Sequence, residues 1–168
     1  MILGPESTGK STVAAQLATH YNTVWVPEFA RKYLAGLSRP YQEEDLLHIA
    51  KEQMKQEDKL EKQANQLLIC DTGLEVIKVW SEHRFGRTHS WIEEKLDTRY
   101  YDQYLLMQVD LPWQPDPLRE HPHLRTYFFD WYKESLNQKG VFYTIIEGDE
   151  QARVLNAIKS VDNLLGKK

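Results

Sequence analysis

Apolar residues along this chain fall into two rhythms. One consists of short continuous runs: Met1-Ile2-Leu3, Thr23-Val24-Trp25-Val26-Pro27-Glu28, Gln66-Leu67-Leu68-Ile69-Cys70-Asp71, Tyr104-Leu105-Leu106-Met107, and Val141-Phe142-Tyr143-Thr144-Ile145-Ile146. Runs without polar alternation predict strands buried on both faces, and two of them close on an acid, Glu28 and Asp71. The other rhythm has helical spacing. It predicts helices after Thr12, from Ala30 to Leu37, from Leu74, around Ser90 to Tyr100, from about Arg119 to Gln138, and from near Asp149. Between Tyr41 and about Asn65, Leu46, Leu47, Ile49, Ala50, Gln53, Met54 and Leu60 predict one long amphipathic helix or two in series. Strands alternating with helices require right-handed crossovers. The expected architecture is therefore a three-layer α/β fold, a parallel sheet of about five strands flanked by helices, in one domain over residues 1–168.

Composition narrows the class. A net charge of −4, with no isolated Lys/Arg block, argues against a nucleic-acid partner and for a small-molecule substrate. Cys70 is the one cysteine, so an intramolecular disulfide is excluded and a reducing compartment fits. No apolar stretch reaches the length of a membrane span, and the start lacks the pattern of a signal peptide, so the expectation is a cytoplasmic protein that does not engage membranes. Met1-Ile2-Leu3 is short for a central strand. Either the first strand is very short or the natural chain begins further upstream.

The chemistry starts directly after that run. Gly4-Pro5-Glu6-Ser7-Thr8-Gly9-Lys10-Ser11-Thr12 matches the phosphate-binding pattern G-x-x-x-x-G-K-[ST], between a predicted strand and a predicted helix. Gly4 and Gly9 let the backbone curl so that its N–H groups face phosphate oxygens at the positive end of the helix. Lys10 adds a point charge for the outer phosphates, and Ser11 offers a hydroxyl to the Mg2+ that accompanies ATP or GTP. The fold is thus expected to be of the P-loop NTPase and kinase kind.

Five blocks together, namely GPESTGKST, Val26-Pro27-Glu28-Phe29-Ala30-Arg31, Cys70-Asp71-Thr72, Tyr104-Leu105-Leu106, and Asp110-Leu111-Pro112-Trp113-Gln114-Pro115-Asp116-Pro117-Leu118-Arg119, resemble the ribosylnicotinamide kinase domain of the NadR type. The resemblance covers nearly the whole chain. It implies transfer of the γ-phosphate of ATP to the ribose 5′-hydroxyl of nicotinamide riboside, giving nicotinamide mononucleotide for NAD salvage. Members of that family carry an adenylyltransferase domain, and often a DNA-binding one, ahead of the kinase; neither is found in this chain. Pro117 stands where the family's lid is expected to hold glycine.

In open parallel sheets ligands bind beyond the carboxyl ends of the strands, where Glu28, Asp71 and Asp110 are expected to converge. Glu28 is the candidate base at the acceptor hydroxyl, because related nucleoside kinases keep theirs after strand two, with Arg31 holding substrate or tuning the carboxylate. The alternative for the two is a surface ion pair at a helix start. Asp71 is the candidate for magnesium, directly or through the metal's outer shell, or else a cap of the next helix shared with Thr72. Arg119 and Arg125 belong to a proline-stiffened segment, about residues 110–126, that reads as a lid closing over the phosphates; Arg125 is otherwise an ordinary solvated charge. Arg153, after Ile145-Ile146-Glu147-Gly148-Asp149, marks either the turn bordering adenine or a plain strand end and cap. His121 and His123 are weak evidence for a metal. Most of the five tryptophans must be core, but Trp113 in the lid is the candidate for stacking on a cationic pyridinium, with Trp80 and Tyr33 as alternatives.

The leading expectation is an ATP- and Mg2+-dependent kinase for nicotinamide riboside. A kinase for another nucleoside or a nucleotide, and a regulatory nucleotide-binding ATPase without a small acceptor, remain as alternatives. The sequence leaves the oligomeric state open.

Overall fold

Side chains alternate across the strands and so divide the core between the two faces of the sheet. In this computed structural model, which describes residues 1–167, β1 (Ile2–Leu3), β4 (Tyr104–Met107) and β5 (Tyr143–Ile146) form one parallel sheet in the order β1-β4-β5. β2 (Trp25–Val26) pairs in parallel with β3 (Ile69–Cys70), and a parallel bridge between Ile2 and Asp71 sets this pair beside β1. The strands thus follow one another as β2-β3-β1-β4-β5. The five expected strands are present, though most are shorter than the apolar runs that announce them. Ile2, Leu105 and Met107 face the helices α1 (Lys10–His20) and α7 (Glu150–Leu164), packing with Val13, Leu17, Ala157 and Val161. Leu3, Tyr104 and Leu106 face the opposite layer, packing with α4 (Leu74–Phe85) and α6 (Arg125–Lys139) through Val76, Val79, Phe128, Phe129 and Tyr132.

A third cluster joins α2 (Phe29–Ala35), α3 (Glu43–Glu61), α4 and α5 (Ser90–Thr98) beside the sheet. The Tyr41 to Asn65 region forms the single helix α3, opened by a reciprocal capping box between Gln42 and Asp45. The helix expected from about Arg119 begins instead at Arg125. Pro122 disfavours helical backbone at His121, so the helix does not reach back to Arg119. Residues 108–124 therefore run as an irregular segment over the carboxyl ends of the strands.

Candidate active site

The turn after β1 needs backbone conformations that few residues tolerate. Gly4 has φ +148°, and a Cβ there would lie 2.9 Å from Met107 Cβ, so only glycine lets the loop cross β4. Ser7 and Gly9 are also left-handed, with φ of 58° and 80°. Thr8 Oγ1 donates to Pro5 O at 2.8 Å and closes the turn. α1 then begins with no acid in its first turn and no side chain capping its N-terminal N–H groups, which leaves its positive end available to an anion. Lys10 Nζ donates to Gly4 O and Pro5 O, both at 2.8 Å, and so sits inside the loop that it would serve.

Residues 4–12 form one wall of a cleft of about 210 Å³, whose other walls include Glu28, Arg31, Trp80, Arg119 and Tyr132. Glu28 comes from the end of β2. Burial raises its carboxyl above the usual range, opposed by Lys10 and Arg31 and assisted by Asp71 and Glu6. Asp71, at the end of β3, is buried and also raised by burial, opposed by Lys10, Ser11, Thr72 and Arg31. One Asp71 oxygen accepts from Thr72 Oγ1 at 3.5 Å, while Oδ2 has no hydrogen-bond partner. Neither acid takes the alternative role. Arg31 pairs with Asp116 rather than Glu28, and α4 is capped by Gly73 without a side-chain bond.

The two acids share a support that the sequence pattern hid. Gln53, on the buried stripe of α3, accepts from Phe29 N at 2.9 Å and donates to Thr72 O at 3.2 Å, thereby tying the residue after Glu28 to the residue after Asp71. Among apolar neighbours at helical spacing it read as part of a packing face. Its signal was a polar residue on that face, since a buried amide must find partners. Tyr132, fully buried on α6 and facing the cleft, was likewise absorbed into the periodicity of its helix.

Several expected site residues lie elsewhere. Asp110 does not join Glu28 and Asp71: it accepts from Gly148 N at 2.6 Å and pairs with Arg153. Arg153 borders the cleft, but its guanidinium is occupied with Gly148 O, Thr8 O and Gln108 O, binding the phosphate loop to the ends of β4 and β5. Arg125 is buried rather than solvated and donates to Ser7 O at 3.0 Å and Leu111 O at 2.9 Å, off the cleft wall. Trp113 lies against the Arg125 guanidinium at 5.9 Å instead of lining the cleft. Tyr33 stacks on Phe29 and donates to Asp45 Oδ1 at 2.7 Å, also outside it. Burying a lone charge or an indole edge is unfavourable without partners, and each of these groups has found its partner in a neighbouring segment. Among the aromatic candidates, Trp80 is the one on the cleft wall.

A parallel sheet with a phosphate loop after β1 and paired acids at the neighbouring strand ends defines a P-loop kinase-like protein. The chain belongs to the AAA_28 family, described as an AAA domain, whose model matches residues 1–153. It is similar to the trifunctional NAD biosynthesis/regulator protein NadR of Salmonella typhimurium strain LT2 and to that of Escherichia coli strain K12, each 29% identical over 174 residues, 99% of this chain and 42% of the relative. The chain thus spans less than half the length of the curated relatives that it matches. Among solved structures, NadR in complex with NR superposes with a TM-score of 0.83 at 20% identity, over 99% of this chain and 50% of that one. Deoxyadenosine kinase from M. mycoides with bound dCTP gives 0.56 at 12% identity, over 96% and 97%. The resemblance to the NadR type seen in the five sequence blocks is borne out. No helix among the described residues is long and apolar enough to cross a membrane.

Proposed function

We propose that this protein is an ATP-dependent kinase that phosphorylates the ribose 5′-hydroxyl of nicotinamide riboside, giving nicotinamide mononucleotide in NAD salvage. The observation that carries this reading is the placement of Glu28 and Arg119 on the walls of the cleft that the phosphate loop also lines. An ATPase without an acceptor has no use for a partly buried carboxylate facing the phosphates across open space. The NadR relatives and the NR-bound neighbour supply the choice of acceptor.

The acceptor oxygen attacks the γ-phosphorus in line, the bond from that phosphorus to the bridging β-γ oxygen breaks, and ADP leaves. Glu28 takes the hydroxyl proton. Its raised pKa brings it closer to neutral pH, where a base is most effective. Lys10 and the amides of the loop hold the outer phosphates, and Arg119 faces the charge that spreads over the transferring group. Residues 110–126 act as the lid, excluding water that would otherwise compete with the acceptor. Trp80, on the cleft wall, is the aromatic residue that would stack on the cationic pyridinium.

Hard oxygen donors suit magnesium, which binds through one or two protein groups plus phosphate and water. The unpartnered buried Oδ2 of Asp71 and the exposed Ser11 hydroxyl at the start of α1 fit that need, so Ser11 and Asp71 would hold the ion. When bound, it supplies positive charge to the β- and γ-phosphates. A panel of nucleosides with magnesium-ATP, scored by ADP formed, tests the acceptor: nicotinamide riboside should be preferred, and equal rates for all nucleosides would overturn the assignment.

A further inference from the structure

The middle of a phosphate loop holds nucleotide through its backbone, so the side chains there are free for other tasks. In this chain they face residues 112–121. Glu6 Oε1 accepts from Glu120 N at 3.3 Å and Glu6 Oε2 from His121 N at 3.2 Å, gripping the two peptide groups that directly follow Arg119. Ser7 Oγ accepts from Gln114 N at 2.9 Å and donates to Pro112 O at 3.4 Å. The backbone carbonyl of Ser7 accepts from Arg125, which also binds Leu111 O. The start, middle and end of the proline-rich segment are thus all attached to two adjacent loop residues.

We propose that Glu6 and Ser7 are positioning residues that dock the lid on the phosphate loop and thereby set Arg119 against the transferring phosphoryl group. The left-handed backbone of Ser7 supports this role, because that conformation is unfavourable for a residue with a side chain and here turns its hydroxyl to the segment. A carboxylate beside phosphates is electrostatically unfavourable, so its retention in the loop needs a partner. The two N–H groups of residues 120 and 121 provide it, and hydrogen bonds to a charged acceptor are stronger than neutral ones. The same loop then reads both nucleotide and closure, and a lid that fails to dock leaves Arg119 unplaced.

This inference rests on the kinase reading for its kinetic arm but not for its structural one. The experiment is hydrogen–deuterium exchange over residues 114–124 with magnesium and a non-hydrolysable imido analogue of ATP, for the wild type, Glu6→Ala, Glu6→Gln and Ser7→Ala, alongside turnover. In Glu6→Ala, exchange at Glu120 and His121 should rise roughly tenfold or more, and Glu6→Gln, which keeps one accepting oxygen, should fall between. Ser7→Ala should release Gln114. Turnover with nicotinamide riboside should fall in kcat with analogue affinity retained, and the ATP hydrolysed per product formed should rise. Unchanged exchange in Glu6→Ala, or a loss confined to nucleotide affinity, would overturn the proposal. If the wild type transfers no phosphate to nicotinamide riboside, the acceptor assignment fails, while the exchange result still decides whether Glu6 docks the segment.

Discussion

The guanidinium of Arg31 on α2 pairs with the carboxylate of Asp116, joining the helix that follows Glu28 to the proline-rich segment. Arg31 is about half exposed, with a side-chain accessibility of 51%, so the pair adds little to global stability. Its consequence is positional, since it holds the proline-rich segment against α2, whose Arg31 lines the cleft. Arg31→Ala and Asp116→Ala should each raise KM for the acceptor roughly two- to fivefold with melting temperature hardly moved, and the double variant should cost no more than the worse single. Steady-state kinetics of the four proteins checks this; additive losses would show that the residues act independently.

Glu28 predicts a specific pH dependence. Its carboxyl is raised above the ordinary 4.5 by burial, so between 4.5 and that higher value the folded state holds a proton that the unfolded chain has released. The stability this group contributes is fully present below the unfolded value and is lost as pH rises through the folded one. Glu28→Gln should therefore melt higher than the wild type at neutral pH, with the difference vanishing near about pH 4. In activity the sign reverses, because in the proposed mechanism Glu28 acts as a base only when ionised. The acid limb of kcat should lie above that of an ordinary glutamate, and Glu28→Gln should lose it together with roughly a hundredfold or more in kcat.

Arg119 and Arg125, the arginines of the proposed lid, should fail in different ways. Arg119 faces the cleft, so Arg119→Lys, which keeps charge but not the planar fork, should lower kcat roughly tenfold with the fold intact. Arg125 is buried on backbone carbonyls of Ser7 and Leu111. Arg125→Lys should instead cost about 1–3 kcal/mol of stability through the contacts left unmade. Chemical denaturation and single-turnover kinetics separate the two, and equal effects on both readouts would dissolve the distinction.

Gln53 should matter to catalysis without lining the cleft. Gln53→Leu preserves approximate size but leaves Phe29 N and Thr72 O without their side-chain partner, at about 1–3 kcal/mol. Because those groups follow Glu28 and Asp71, the variant should also lower kcat, while Gln53→Glu, which keeps the acceptor for Phe29 N, should keep more of it. Full activity in Gln53→Leu would make the amide a stability element only.

Much of this was legible from residue order. The phosphate loop, the acids at the ends of β2 and β3 and the α/β alternation follow from local rules that do not depend on distant partners. Glu28 could be placed because it closely follows its strand, whereas Asp110, three residues beyond the end of β4, turns to Gly148 and Arg153. Arg125, Trp113 and Tyr33 could not, since each is satisfied by a group outside its own element: Arg125 by Ser7 and Leu111, Trp113 by Arg125, Tyr33 by Asp45. A buried arginine and an exposed one look the same in sequence. The start of α6 differs for another reason: Pro122 acts on the residue before it, a local effect that helical spacing alone does not show.

The most direct test of the central claim is mass detection of the product when the purified protein receives magnesium-ATP with and without nicotinamide riboside. The account predicts nicotinamide mononucleotide formed with one ADP per molecule, slow ATP loss when the nucleoside is absent, and no product from Lys10→Ala. ATP hydrolysis at the same rate with or without nicotinamide riboside, and no phosphorylated nucleoside, would contradict it.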